Sequence, residues 1–308
     1  PPVIEDFVRR HGTVPGATLA IVALGKLGSR EMMFGSDLDL IFVYNNPQDE
    51  AVSDGPKSLP TSQYFARFGQ QVISAITSLT AEGRLYDVDM RLRPSGASGP
   101  LAVTIAGFEK YQRTEAWTWE QMALTRARVI YASDSLRAQL EPLIDGILRV
   151  PREAKTVLDD VADMRIKIAD EFPGTGTWSL KFVRGGLLDL EFMAQALQLT
   201  TAIKIPSVLH RPTASVFETL GDEQIPGHVA QLLAQTTRLF QDIEGLFRLC
   251  LEGAPTDETI PPGLVRALCR VANMPDLPTL KAELVARQRV VIDSYEQLIG
   301  RTDTRAAT

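Results

Sequence analysis

The sequence predicts an α+β protein in two parts, a mixed domain with a small sheet over residues 1–133 and an all-α helical bundle domain over residues 134–308. Two apolar, strand-like runs flank a glycine-rich stretch near the start, and a third run alternates apolar and polar residues before position 92. Beyond about residue 134 only helical periodicity recurs. A chain of 308 residues is also longer than one compact core usually serves.

The elements follow in order. TLAIVAL at 18–24 is a continuous apolar run, the pattern of a buried strand. GKLGSREMMFGS follows as a glycine-rich turn, and LDLIFVY at 38–44 reads as a second buried strand. Residues 45–61 hold Asn, Pro, Asp, Gly and Ser and are expected to form a mobile loop. Over 62–80, Phe65, Phe68, Val72, Ile76 and Leu79 recur at helical spacing. LYDVDMRL at 85–92 has the period of a strand with one wet face. The turn PSGASGP leads to a short strand, LAVT, and then to helices near 105–114 and 116–131. In the second part, breaks at Pro151, Pro173–Gly176, Pro206, Pro212, Pro226 and Pro261–Gly263 separate an expected five to seven helices.

Composition narrows the function classes. The chain is 44% hydrophobic and 23% charged with a net charge of −6, which argues against a general nucleic-acid binder. No apolar run reaches the roughly 20 residues of a membrane span, and no signal peptide is visible, so a cytoplasmic protein without membrane partners is expected. Cys250 and Cys269 lie in apolar stretches and read as buried, inert thiols. His11, His210 and His228 are scattered, so no zinc site is expected. The chain opens on Pro1 and closes on the polar RTDTRAAT, which reads as the C-terminal piece of a longer polypeptide with a frayed end.

The sharpest feature is GSDLDLIF at 35–42. Residues i and i+2 of a strand share a face, so Asp37 and Asp39 present two carboxylates side by side. Adjacent buried carboxylates repel unless a cation lies between them, and Mg²⁺ is the usual partner. The plainer alternative is two surface acids at a strand end. The second acidic strand favours a metal. In YDVDMRLRP, Asp87 and Asp89 share a face, as do Arg91 and Arg93. Asp89 would complete the metal site or act as general base. Arg91 and Arg93 would meet triphosphate oxygens or the leaving pyrophosphate, against the alternative of an Asp–Arg ladder. Gly25, Lys26 and Gly28 would let backbone approach a phosphate, although the spacing is that of neither a Walker loop nor a dinucleotide fingerprint.

These residues resemble a known family. A glycine turn, GSDLDL and then an acidic strand is similar to the DNA polymerase β-like nucleotidyltransferases. GKLGSREMMFGSDLDLIFVY, YDVDMRLRPSGASGPL, EAWTWEQMALTRARVIY and KFVRGGLLDLEFMAQ, in that order, resemble the glutamine synthetase adenylyltransferase family over residues 19 to about 200. The resemblance implies a polymerase β-like catalytic domain. It implies a bifunctional parent enzyme of nitrogen assimilation, one half adding AMP from ATP to a tyrosine of glutamine synthetase and the other removing it by phosphorolysis. It implies two Mg²⁺ ions held by Asp37, Asp39 and Asp89, and a triphosphate site lined by Gly25, Lys26, Gly28 and Ser36. Ser29 stands where the family often has a second glycine. The PII signal protein and glutamine enter as an implied partner and effector.

EAWTWEQMALTRARVIY and the GSDLDL form of the acidic pair look more like the adding half. The removing half, and a non-catalytic module that docks PII protein or glutamine, stay open as alternatives. Three clustered acids weigh against the last. In RGGLLDLEF, Gly185–Gly186 should start a helix. Asp189 would face a cleft or simply complement the helix dipole, and Glu191 would pair with Arg184 or another arginine. Glu120, Arg126 and Arg128 divide evenly between structural pairing and function. Trp117 and Trp119 read as core anchors.

Overall fold

The structure, a computed structural model, describes residues 2–46, 51–210, 212–253 and 255–300. Part of the expected loop at 45–61, residues 47–50, and the expected frayed end at 301–308 lie outside the described residues. The chain divides into two compact units, Pro1–Val150 and Pro151–Thr308.

The first unit is α+β with a small mixed sheet. It begins with α1 (Pro2–His11), β1 (Thr18–Ala23), the short α2 (Gly25–Ser29) and β2 (Leu38–Asn45). Next come α3 (Thr61–Thr77), a two-stranded ribbon of β3 (Leu79–Thr80) and β4 (Gly83–Arg84), and β5 (Val88–Asp89). β6 (Ala102–Thr104), α4 (Ile105–Thr114), α5 (Thr118–Leu124), β7 (Arg128–Tyr131) and α6 (Asp134–Leu148) complete it.

β2 is the organising strand. It pairs antiparallel with all of β1, Thr18 opposite Asn45 and Ala23 opposite Leu40. Its other edge takes two short parallel partners, β5 at Leu38–Asp39 and β6 at Phe42–Tyr44. β7 closes the far side of β1, antiparallel. Leu38, Leu40, Phe42 and Tyr44 share one face, and Tyr44 stacks on Phe65 of α3 at 4.7 Å. Ile41 and Val43 on the opposite face are equally buried, so β2 reads as a continuous apolar run. Thr104 and Ser133 cap α4 and α6 by accepting from the backbone N–H of Gly107 and Leu136.

Four expectations change. The helix expected over 116–131 stops at Leu124, and Arg128–Tyr131 becomes β7, because Val129, Ile130 and Tyr131 suit a strand paired to Val22 better than a last helical turn. The strand expected over 85–92 shrinks to Val88–Asp89, because residues 90–99 fold back on themselves, with Arg93 N–H on Met90 O and Gly96 N–H on Arg93 O. Ser95 and Gly96 take positive φ there. α3 ends at Thr77, and Leu79, expected in the core, is 80% exposed on β3. Finally, α6 packs on β1 and β7 within the first unit, so the units divide at 150/151 where the sequence suggested 133/134.

The second unit shows helices and no strand among its described residues. These are α7 (Ala154–Glu171), α8 (Leu187–Thr201), α9 (Thr213–Thr219), α10 (Gly227–Cys250), α11 (Pro262–Ala272) and α12 (Leu277–Leu298). Pro212, Pro226 and Pro261 each stand immediately before a helix. α8 buries twelve of its fifteen residues and packs against α7, α9, α10 and α12, as a helix apolar on all sides must. Cys269 is buried, but Cys250 is exposed at the end of α10, contrary to expectation. Among the described residues no helix is long and apolar enough to cross a membrane.

Candidate active site

The site lies in the first unit, at the end of the sheet where β2 begins. The β1–β2 ladder runs past Ala23 to a hydrogen bond from Leu24 N–H to Asp39 O of 2.9 Å. That bond sets the next residue, Gly25, directly against the Asp39 side chain. A Cβ built on Gly25 would lie 2.0 Å from Asp39 Oδ2, and Gly25 has φ +51°, so only glycine fits. The expected glycine turn is thus the short helix α2, packed on the acid. Gly28 is equally constrained, since a Cβ there would lie 2.0 Å from Arg126 O.

On the other edge of β2, the parallel pair with β5 puts Asp89 in register with Asp39. Leu38 N–H donates to Asp87 O, which extends the pairing to the residue before β5. Asp37 precedes β2 by one residue and is exposed, while Asp39 and Asp89 are half-buried. Burial first, then the charges of Asp89 and Asp37, push the Asp39 carboxyl up to about 6 from an ordinary 3.8, against the opposing pull of Arg91 and Arg126. Asp89 goes the other way. Burial works to raise it, but hydrogen bonds from Arg91 and the charges of Arg91 and Arg93 outweigh burial and hold it below the usual carboxylate range.

The Arg91 contacts are specific. Its backbone N–H donates to Asp89 Oδ1 at 2.8 Å, and its Nε and Nη2 donate to Oδ2 at 2.8 and 2.5 Å. Arg93 behaves differently. Its Nη1, Nη2 and Nε donate to the carbonyls of Met90, Ala97 and Gly99, so it clasps the 90–99 turn. Asp87 pairs with Arg84 on the surface. The Ser36 hydroxyl accepts from Met33 N–H at 3.1 Å and shapes the approach to Asp37. Lys26 Nζ lies 3.7 Å from Met33 Sδ.

The structure therefore gathers Gly25, Asp37, Asp39, Asp89 and Arg91, and it ties Ser36 and Arg93 to loop carbonyls or amides. Arg126, left undecided by the sequence, is buried and its charge reaches Asp39. Arg128 donates to Gly28 O and Leu27 O and so anchors α2. Glu120 is structural, accepting from Trp117 N–H and the Tyr111 hydroxyl. Trp117 and Trp119 are exposed, contrary to the expected core role.

Does this set of groups suit a divalent cation? Oxygen donors from aspartates are the right chemistry for Mg²⁺, and the Asp39 carboxyl is raised first by burial and then by the neighbouring charges of Asp89 and Asp37. Among the described residues, however, no three acidic or metal-ligating side chains are gathered as a ready ion-holding group. Arg91 is bonded to Asp89 at this site. Two in-register carboxylates with water and phosphate oxygens would meet the usual needs of Mg²⁺.

In the second unit, RGGLLDLEF forms a buried ionic knot. Asp189 is fully buried and accepts from Arg165 Nε at 2.5 Å, Arg184 Nη1 at 2.9 Å and Gly185 N–H at 2.6 Å. Arg165 also donates to Phe182 O, and Arg184 lies over the Tyr295 ring at 4.9 Å. Asp189 faces these arginines and not a cleft, and Arg184, one of the two partners expected for Glu191, is paired with Asp189.

Comparison with known proteins follows the same chemistry. Residues 4–142 match the family model described as glutamate-ammonia ligase adenylyltransferase. The chain is 43% identical over 302 residues to a bifunctional glutamine synthetase adenylyltransferase/adenylyl-removing enzyme of Rhodopseudomonas palustris (strain TIE-1), covering 98% of this chain. Enzymes of the same description from Brucella suis biovar 1 (strain 1330) and a Bradyrhizobium species (strain BTAi1) are 43% and 45% identical over 300 residues, covering 97% and 96% of this chain. In each case the chain spans 30% of the relative's length.

Proposed function

Because residues 4–142 of this chain form a domain of the glutamate-ammonia ligase adenylyltransferase family, we propose that it moves AMP from ATP to a tyrosine of glutamine synthetase and releases pyrophosphate. The single observation that carries this reading is the register of Asp39 with Asp89, with the Asp37 charge acting on Asp39 and Gly25 packed beside it. The adding direction is supported by the form of GSDLDL and of EAWTWEQMALTRARVIY.

In this reading Asp37, Asp39 and Asp89 hold two Mg²⁺ ions. Bound there, the ions would supply charge neutralisation for the triphosphate and acidify the acceptor hydroxyl. The chain's own groups do the rest. Gly25 and Gly28 let the short helix α2 pack on Asp39 and the Arg126 carbonyl, with Lys26 and Arg91 as the cationic contacts of the polyphosphate. Ser36 holds the loop that presents Asp37, and Arg93 holds the turn that presents Arg91. The tyrosine oxygen bonds to the α-phosphorus as the bond to the bridging oxygen of pyrophosphate breaks. The hydroxyl proton leaves to a carboxylate of the site or to water as the oxygen attacks. In this reading the reaction is cytoplasmic, where ATP is supplied.

The test is to incubate the chain with unmodified glutamine synthetase, Mg²⁺ and ATP labelled at the α-phosphate. Label on the synthetase supports addition. Release of ADP from adenylylated synthetase and phosphate, with no addition, assigns the chain to the removing reaction instead.

A further inference from the structure

Arg91 grips one of the acids directly from the surface. It is 83% exposed at the side chain, yet it engages the half-buried Asp89 through both side-chain donors on one oxygen and its own backbone N–H on the other. The two carboxylate oxygens are therefore held by different means. Oδ1 is fixed by the main chain two residues on, a bond that survives any movement of the side chain. Oδ2 is held only by an exposed guanidinium on a flexible stem. Arg93 shows the contrast, because its guanidinium is committed to the carbonyls of Met90, Ala97 and Gly99.

From this geometry we propose that Arg91 is an exchangeable counter-cation, which occupies Asp89 Oδ2 until a divalent cation binds and then turns its guanidinium to the nucleotide's phosphates. The inference rests on the reading of Asp37, Asp39 and Asp89 as the cation site. Exposed ion pairs are weak and salt-screened, so the Arg91 grip is displaceable, whereas a buried pair would not be. Releasing Oδ2 leaves Asp89 still oriented through Oδ1, opposite Asp39 in the sheet. The freed guanidinium stays in the field of the acids, and its planar fork suits phosphate oxygens. Arg91 thus couples the cation to the nucleotide. The empty site is kept from accumulating negative charge, and the arginine becomes available to phosphate only when the cation is in place.

The two roles have opposite signs in one substitution, and a purely structural ion pair would not produce that pattern. The experiment measures Mn²⁺ binding to the full chain without nucleotide, by calorimetry or by the paramagnetic signal of free Mn²⁺, and then ATP binding at saturating Mn²⁺. Arg91→Gln is expected to tighten Mn²⁺ by roughly twofold to fivefold, the range set by an exposed ion pair. The same variant is expected to weaken ATP. Arg91→Lys, which keeps the charge and loses the fork, should restore part of the ATP affinity. The Mn²⁺ gap between wild type and Arg91→Gln should narrow as KCl is raised. Unchanged or weaker Mn²⁺ binding in Arg91→Gln, with wild type binding normally, overturns the exchange. Failure of the wild type itself to bind Mn²⁺ overturns the cation site and the exchange with it.

Discussion

Asp39 of β2 and Asp89 of β5 stand opposite each other in a parallel strand pair, and their carboxyls are driven in opposite directions, Asp39 up to about 6 and Asp89 below the usual range. The backbone register brings them together, and Arg91 separates their behaviour.

The raised Asp39 makes metal-free stability depend on pH. A carboxyl shifted from 3.8 to about 6 binds its proton more tightly in the folded protein than in the unfolded one. Ionised Asp39 therefore destabilises the fold above about pH 6, and that penalty fades as pH falls through about 6 towards 3.8. With EDTA present at pH 7.5, Asp39→Asn should stabilise the protein by roughly 1–3 kcal/mol in urea unfolding, less than the full shift would give because the group is partly solvated. The gain should shrink at pH 5. An equal gain at both pH values would show that the Asp39 charge is not its cause.

Gly25→Ala should disrupt the site more than its size suggests. The new methyl would meet Asp39 Oδ2, and the residue would sit at positive φ. AMP transfer should fall by at least about 100-fold, with a stability loss of about 1–3 kcal/mol from backbone strain and displacement of Asp39. Steady-state transfer assays together with thermal unfolding check both effects. Wild-type transfer would mean that Asp39 has room to move without consequence.

Arg93→Ala should act through the 90–99 turn. Loss of the bonds to Met90 O, Ala97 O and Gly99 O should lower stability by about 1–2 kcal/mol. It should also speed amide exchange across residues 90–99. Unchanged exchange combined with a raised KM for ATP would instead make Arg93 a direct nucleotide contact.

In the second unit, Asp189→Ala should leave Arg165 and Arg184 without their shared carboxylate and destabilise that unit by about 3–5 kcal/mol. Tyr295→Phe should be neutral or stabilising within about 1 kcal/mol, because the buried hydroxyl has no hydrogen-bond partner among the described residues. Chemical denaturation of both variants tests this. A large loss in Tyr295→Phe would mean that the hydroxyl is engaged in solution.

The acidic pair was legible because strand period and apolar flanks fix where Asp37 and Asp39 stand. β2 and β1 were legible for the same reason. Asp89 was found from an alternating run, although the run forms only two residues of strand. The turn that ends it depends on Arg93 reaching back to carbonyls, which no local pattern announces. β7 was hidden because ARVIY continues the apolar rhythm of a helix, and only pairing with β1 decides in favour of a strand. The role of Asp189 was hidden too, since its partner Arg165 lies 24 residues away on another helix. Gly25 stood out in the sequence only as a glycine of a turn, and its closeness to Asp39 follows from the strand ladder.

The most direct measurement of the three-carboxylate site is AMP transfer by the double variant Asp37→Asn, Asp39→Asn. Labelled ATP, Mg²⁺ and unmodified glutamine synthetase would be supplied, with circular dichroism confirming the fold. We expect a native spectrum and no label on the synthetase where the wild-type chain labels it. Transfer at the wild-type rate by a folded double variant would contradict the assignment of these acids to the chemistry.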